Sequence, residues 1–108
     1  MNDRIILVVD DETDLLEMVK SIFTRAGFTQ VLTASSGETA LKMCKEQEPD
    51  MIILDVMMPG MDGFEVLKVM NQKHWIDTIP VIMISAENDT SYMEKAYELG
   101  ATDYIKRP

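Results

Sequence analysis

Short apolar runs alternate along this chain with longer amphipathic stretches, and that alternation admits few architectures. The runs fall at 5–9 (Ile-Ile-Leu-Val-Val), 31–34, 51–54 (Met-Ile-Ile-Leu), 81–84 and, more briefly, 104–105. Unbroken Val/Ile/Leu runs are the pattern of parallel strands buried on both faces. The stretches between them predict helices over 12–26, 37–48, 64–72 and 90–99. In the first, Leu15, Val19, Ile22, Phe23 and Ala26 recur at helical spacing and define one apolar face. Gly27 and Gly100 stand where helices stop. Pro49 and Pro80 stand just before strands, where a missing N–H is harmless. Strand and helix in strict alternation imply βαβ units and an α/β fold with a doubly wound parallel sheet.

Two of the runs end in acid. Asp10 and Asp11 close the first and Asp55 closes the third. In an open α/β sheet, ligands bind beyond the carboxyl ends of the strands, so these carboxylates gather where a ligand is held. Three acids there repel one another unless a cation joins them, and an all-oxygen donor set suits Mg2+ rather than zinc or copper. For Asp10 and Asp11 the competing use is to cap the first helix.

Composition removes several other classes. At 108 residues the chain is one domain, 1–108. Its net charge of −9, from 10 basic and 19 acidic residues, argues against nucleic-acid binding by this segment. No apolar stretch approaches the roughly 20 residues of a membrane span, and because Met1-Asn2-Asp3-Arg4 runs straight into a strand, no signal peptide is expected. The expected location is cytoplasmic. Cys44 is the single cysteine, which leaves no internal disulfide; it reads as small apolar filler on a helix. The ten methionines are spread over core and loop positions and read as packing, and His74 and Trp75 as loop residues without a role.

Read in order, Asp10-Asp11-Glu12, then Asp55-Val56-Met57-Met58-Pro59-Gly60-Met61-Asp62-Gly63, then Ser85-Ala86, then Tyr104-Ile105-Lys106-Arg107-Pro108 resemble the receiver domains of two-component response regulators. The likeness covers essentially the whole chain. It implies a flavodoxin-like sheet of five parallel strands in the order 2-1-3-4-5, an order for which a member of this family is a standard example. It also implies a signalling switch that catalyses only its own phosphorylation and dephosphorylation. By this resemblance Asp55 is the phosphoacceptor, attacking a phosphohistidine in line to form a labile aspartyl phosphate. Asp11 is a direct Mg2+ ligand, Asp10 acts partly through water, and Asp55 and the backbone carbonyl of Met57 complete the protein's share of the shell. Pro59, Gly60 and Gly63 set the turn that brings this carbonyl back. Ser85 offers a hydroxyl to the phosphoryl group, and its loop follows. Tyr104 is the aromatic that then turns inward. The competing use of Ser85, capping the fourth helix, suits Asn88 or Asp89 better. The implied partners are a sensor histidine kinase or phosphotransfer protein, and an output domain or downstream protein.

The chain departs from the family pattern twice. Its basic residue before the proline is Arg107, where the family has lysine; Arg is a planar fork and Lys a compact point charge. If Arg107 faces the phosphoryl group, Lys106 faces away, because successive strand residues point to opposite faces. The Arg107-Pro108 bond is expected to be cis, as in the family. An arginine here also resembles receivers joined to cyclic-dinucleotide-handling outputs. Secondly, the family's fifth helix is absent from this chain. That leaves an apolar patch of the kind monomers seldom expose, so the expectation is either truncation after the fifth strand or cover by a partner or a second copy.

Three functions fit these residues to different degrees. One is the phosphoacceptor switch. Another is a pseudo-receiver that keeps the fold as a binding or dimerisation module without phosphotransfer. The last is a small phosphotransferase or phosphatase, which needs a second carboxylate two residues after the nucleophile, where this chain has Met57. Flavin binding is disfavoured by acids in the loop that would hold its phosphate.

Overall fold

The computed structural model describes residues 2–86 and 90–106. They form β1 (Asn2–Val9), α1 (Thr13–Arg25), β2 (Phe28–Ala34), α2 (Gly37–Gln47), β3 (Met51–Asp55), α3 (Gly63–Gln72), a 3-10 turn at Trp75–Asp77, β4 (Val81–Ser85), α4 (Thr90–Glu98) and β5 (Asp103–Lys106). All strands are parallel, in the order β2-β1-β3-β4-β5. Every expected element is present, and all five strands gain a residue or more at an end. No helix follows β5 among the described residues.

The unbroken apolar runs are explained by two cores, one on each sheet face. Along β1, Leu7 and Val9 enter the larger core while Ile6 and Val8 enter the smaller. Along β3, Ile52 and Leu54 do the former and Ile53 the latter. Alternation of side chains across a strand sends neighbours to opposite faces, and here both faces demand apolar residues. The larger core is roofed by α2, α3 and α4 through Ala40, Cys44, Val66, Leu67, Met70 and Ala96. Burial pushes the Cys44 thiol up to about 11, so it stays protonated and inert at neutral pH.

The smaller core is covered by α1 alone, and there the expected helix face needs correction. Leu16, absent from the expected stripe, is the buried residue of α1; Leu15, Val19 and Phe23 are half-buried; Ile22 is 55% exposed and Ala26 is an exposed C-cap. Helical spacing reports that apolar residues share a face, but not how much of that face a neighbour covers. Only the side resting on the sheet is packed; Met18 and Ile22 are exposed, and Met18 lines a groove that it shares with Ile105, itself exposed.

Local signals set the helix ends. Ser36 caps α2 by accepting from the Thr39 N–H at 3.2 Å. Asp62 and Glu65 form a reciprocal capping box on α3, with the Glu65 N–H donating to Asp62 Oδ1 at 2.9 Å. Gly27 and Gly100 end α1 and α4 with φ of +103° and +105°, where glycine is favoured. Glu48 takes the same left-handed region at the end of α2, just before Pro49.

Candidate functional site

Strand register assembles the site. Val9 pairs with Leu54, so Asp10 and Asp55, each one residue further on, come level at the tips of adjacent strands. Asp10, Asp11 and Asp55 each offer a carboxylate oxygen within 4.8 Å of the others. Asp10 (3% exposed) and Asp55 (6%) are buried, while Asp11 is exposed. Asp10 Oδ1 also accepts the Glu12 N–H at 2.9 Å, so one carboxylate serves both the cluster and the start of α1. The helix's N-cap position itself is Glu12, whose side chain makes no capping bond. Three hard oxygen donors so close are the donor chemistry that Mg2+ takes, and water completes such a shell readily.

The loop after β3 is closed tightly. The Gly63 N–H donates to the Val56 carbonyl at 2.8 Å, and a Cβ on Gly63 would run into the Asp55 carbonyl oxygen. Gly60 has φ +74°, as the expected turn requires. Gly63 has no such angle; it is there for space, not for conformational freedom. Motif spacing cannot separate these two uses of glycine. Met57 projects from this loop, 53% exposed.

Ser85 ends β4, is fully buried and lies in register with Lys106. Lys106 lines an apolar groove of about 440 Å3 between α1 and β5, whose end reaches Asp10 and Asp55. Arg107, its bond to Pro108, Asn88 and Asp89 lie outside the described residues.

Tyr104 is half-buried and packs against the larger core. Its hydroxyl is buried and finds no hydrogen-bond partner among the described residues. A buried hydroxyl left unpaired costs about 1–3 kcal/mol. Tyr104→Phe removes that penalty and keeps the ring, so it is expected to raise unfolding stability by about 1 kcal/mol in urea titrations. A variant no more stable than the parent would mean that the hydroxyl is already satisfied.

A doubly wound parallel sheet with carboxylates clustered at its central strand tips and a buried hydroxyl on the next strand defines the class: a flavodoxin-like domain whose site is built from acids. Comparison with known proteins makes this specific. Residues 6–108 match the response regulator receiver domain family. The chain belongs to that family. It is 41% identical over 108 residues to the alkaline phosphatase synthesis transcriptional regulatory protein PhoP of Bacillus subtilis, covering 100% of this chain and 43% of that protein. It is 40% identical over 103 residues to the transcriptional regulatory protein AfsQ1 of Streptomyces coelicolor, covering 95% of this chain and 44% of that one. The chain thus spans less than half the length of these relatives.

Among solved structures, the chemotaxis protein CheY4 of Vibrio cholerae superposes with a TM-score of 0.90 at 31% identity, over 99% of this chain and 88% of that one. The response regulator TrrA of Thermotoga maritima, in complex with Mg2+ and BeF, superposes with a TM-score of 0.84 at 30% identity, over 97% of this chain and 87% of that one. No helix among the described residues is long and apolar enough to cross a membrane.

Proposed function

We propose that this domain is a phosphorylation-activated switch whose acceptor is Asp55. The observation that carries the reading is the convergence of Asp10, Asp11 and Asp55 at the strand tips, with Asp10 and Asp55 buried. Asp55 is held at the end of a central strand, with little freedom to reorient. One of its carboxylate oxygens attacks the phosphorus of a histidine kinase's phosphohistidine; the O–P bond forms, the P–N bond breaks, and the imidazole leaves and takes up a proton. Asp10, Asp11, Asp55 and the Met57 carbonyl would hold Mg2+, which would supply neutralisation of charge on the phosphoryl oxygens. The new group brings about −1.5 to −2 charges. The Ser85 hydroxyl donates to it, and the movement reaches Tyr104, whose hydroxyl is buried with no partner among the described residues. The domain catalyses only its own phosphorylation and dephosphorylation. Its output is an attached domain or partner, and the two relatives named as transcriptional regulatory proteins favour control of transcription by a longer chain. Incubation with acetyl phosphate and Mg2+ is expected to add one phosphoryl group, labile to hydroxylamine. A chain that takes up none under these conditions is the pseudo-receiver.

The cation that meets the phosphoryl group is assigned to Arg107, three residues after Tyr104. Removing a cation from a charged, partly buried group costs on the order of 1–3 kcal/mol. Arg107→Ala is therefore expected to weaken beryllofluoride binding about ten-fold or more. Arg107→Lys should retain or improve it, and Lys106→Ala should change little. Because Lys106 lines the groove that reaches Asp55, the comparison cuts both ways. If Lys106→Ala is the damaging change and Arg107→Ala is silent, Lys106 is the phosphoryl contact.

A further inference from the structure

We infer that Gly37, at the start of α2, is a positioning residue for the metal-holding loop between β3 and α3. The inference rests on the Mg2+ site proposed above. Gly37 is buried and has no left-handed φ, so conformational freedom is not what its position uses. At the first residue of a helix any other residue would lose less backbone entropy than glycine. What the position uses is space. A Cβ built on Gly37 would lie 2.9 Å from each of Met61 Cγ, the Met61 carbonyl oxygen and Val66 Cγ2. Ordinary van der Waals contacts do not come so close, so something must give.

The Met61 side chain can swing away, but its carbonyl and Val66 cannot move freely. Met61 immediately precedes Asp62, whose side chain and backbone are tied into the α3 capping box. Val66 is fully packed in the larger core. At its other end the loop is closed by the Gly63 N–H on the Val56 carbonyl. A side chain at position 37 therefore pushes on a loop of fixed ends, and its free span includes Met57, whose carbonyl is assigned to the metal. The start of α2 thereby sets where that carbonyl stands, although Gly37 has no side chain that could reach a ligand.

The test is Mg2+ affinity measured by calorimetry on the full chain, with Ser36→Ala as control. Ser36→Ala removes the N-cap acceptor of the same helix end and loosens α2 without crowding the loop. Gly37→Ala is expected to bind Mg2+ about ten-fold more weakly than the parent, the size of effect seen when groups that orient metal ligands are disturbed. Ser36→Ala should stay within about two-fold even if its melting temperature falls further. Equal Mg2+ affinity in Gly37→Ala and the parent overturns the inference, whatever the change in stability. If Gly37→Ala does not fold, Gly37→Ala combined with Val66→Ala supplies room, and it should bind Mg2+ more weakly than Val66→Ala alone; equality of those two has the same negative meaning. A parent that binds no Mg2+ sinks the reading of the acidic site, a failure distinct from that of Gly37.

Discussion

Asp55→Asn is expected to abolish phosphoryl uptake from acetyl phosphate or a phosphorylated histidine kinase, with the fold intact. The amide matches the carboxylate in shape but is a far poorer nucleophile towards phosphorus. The position is only 6% exposed and sits at a strand tip, so the change is nearly isosteric where packing is tight, and circular dichroism should be unaltered. Intact mass before and after hydroxylamine reads the result. Persistent labelling of the variant would move the acceptor to another residue and leave the convergence of three acids to be explained by metal binding alone.

Asp11→Asn is expected to lower Mg2+ affinity by on the order of a hundred-fold, since loss of a mere outer-shell partner already costs about ten- to a hundred-fold. Asp11 is the exposed member of the cluster. Its removal should therefore leave folding almost untouched, whereas Asp10 also accepts the Glu12 N–H and would compromise the start of α1. This difference makes Asp11 the clean probe of the metal. Calorimetric titration with Mg2+ measures it, and phosphorylation from acetyl phosphate should fall in parallel. If Asp11→Asn binds Mg2+ as well as the parent, Asp11 is not a ligand and the shell must be rebuilt from Asp10 and Asp55.

The architecture was legible in the sequence because periodicity and burial are local consequences of which residues stand next to which. Ile5 to Val9 and Met51 to Leu54 read as parallel strands because both of their faces are covered, and the acids that end those runs mark the strand tips. The strand order came from resemblance to a family, since apolar runs look alike whichever neighbour they pair with. What tertiary structure alone decided concerns separation in space. Register brought Asp10 level with Asp55, and packing buried Leu16 while leaving Ile22 exposed on the same helix. It also separated two kinds of glycine that read identically in sequence: Gly60 at a left-handed φ, and Gly63 and Gly37 where another backbone comes too near for a Cβ. The Tyr104 hydroxyl, buried without a partner among the described residues, belongs to the same group. Whether a polar atom is satisfied depends on every element around it, and no pattern along the chain encodes that.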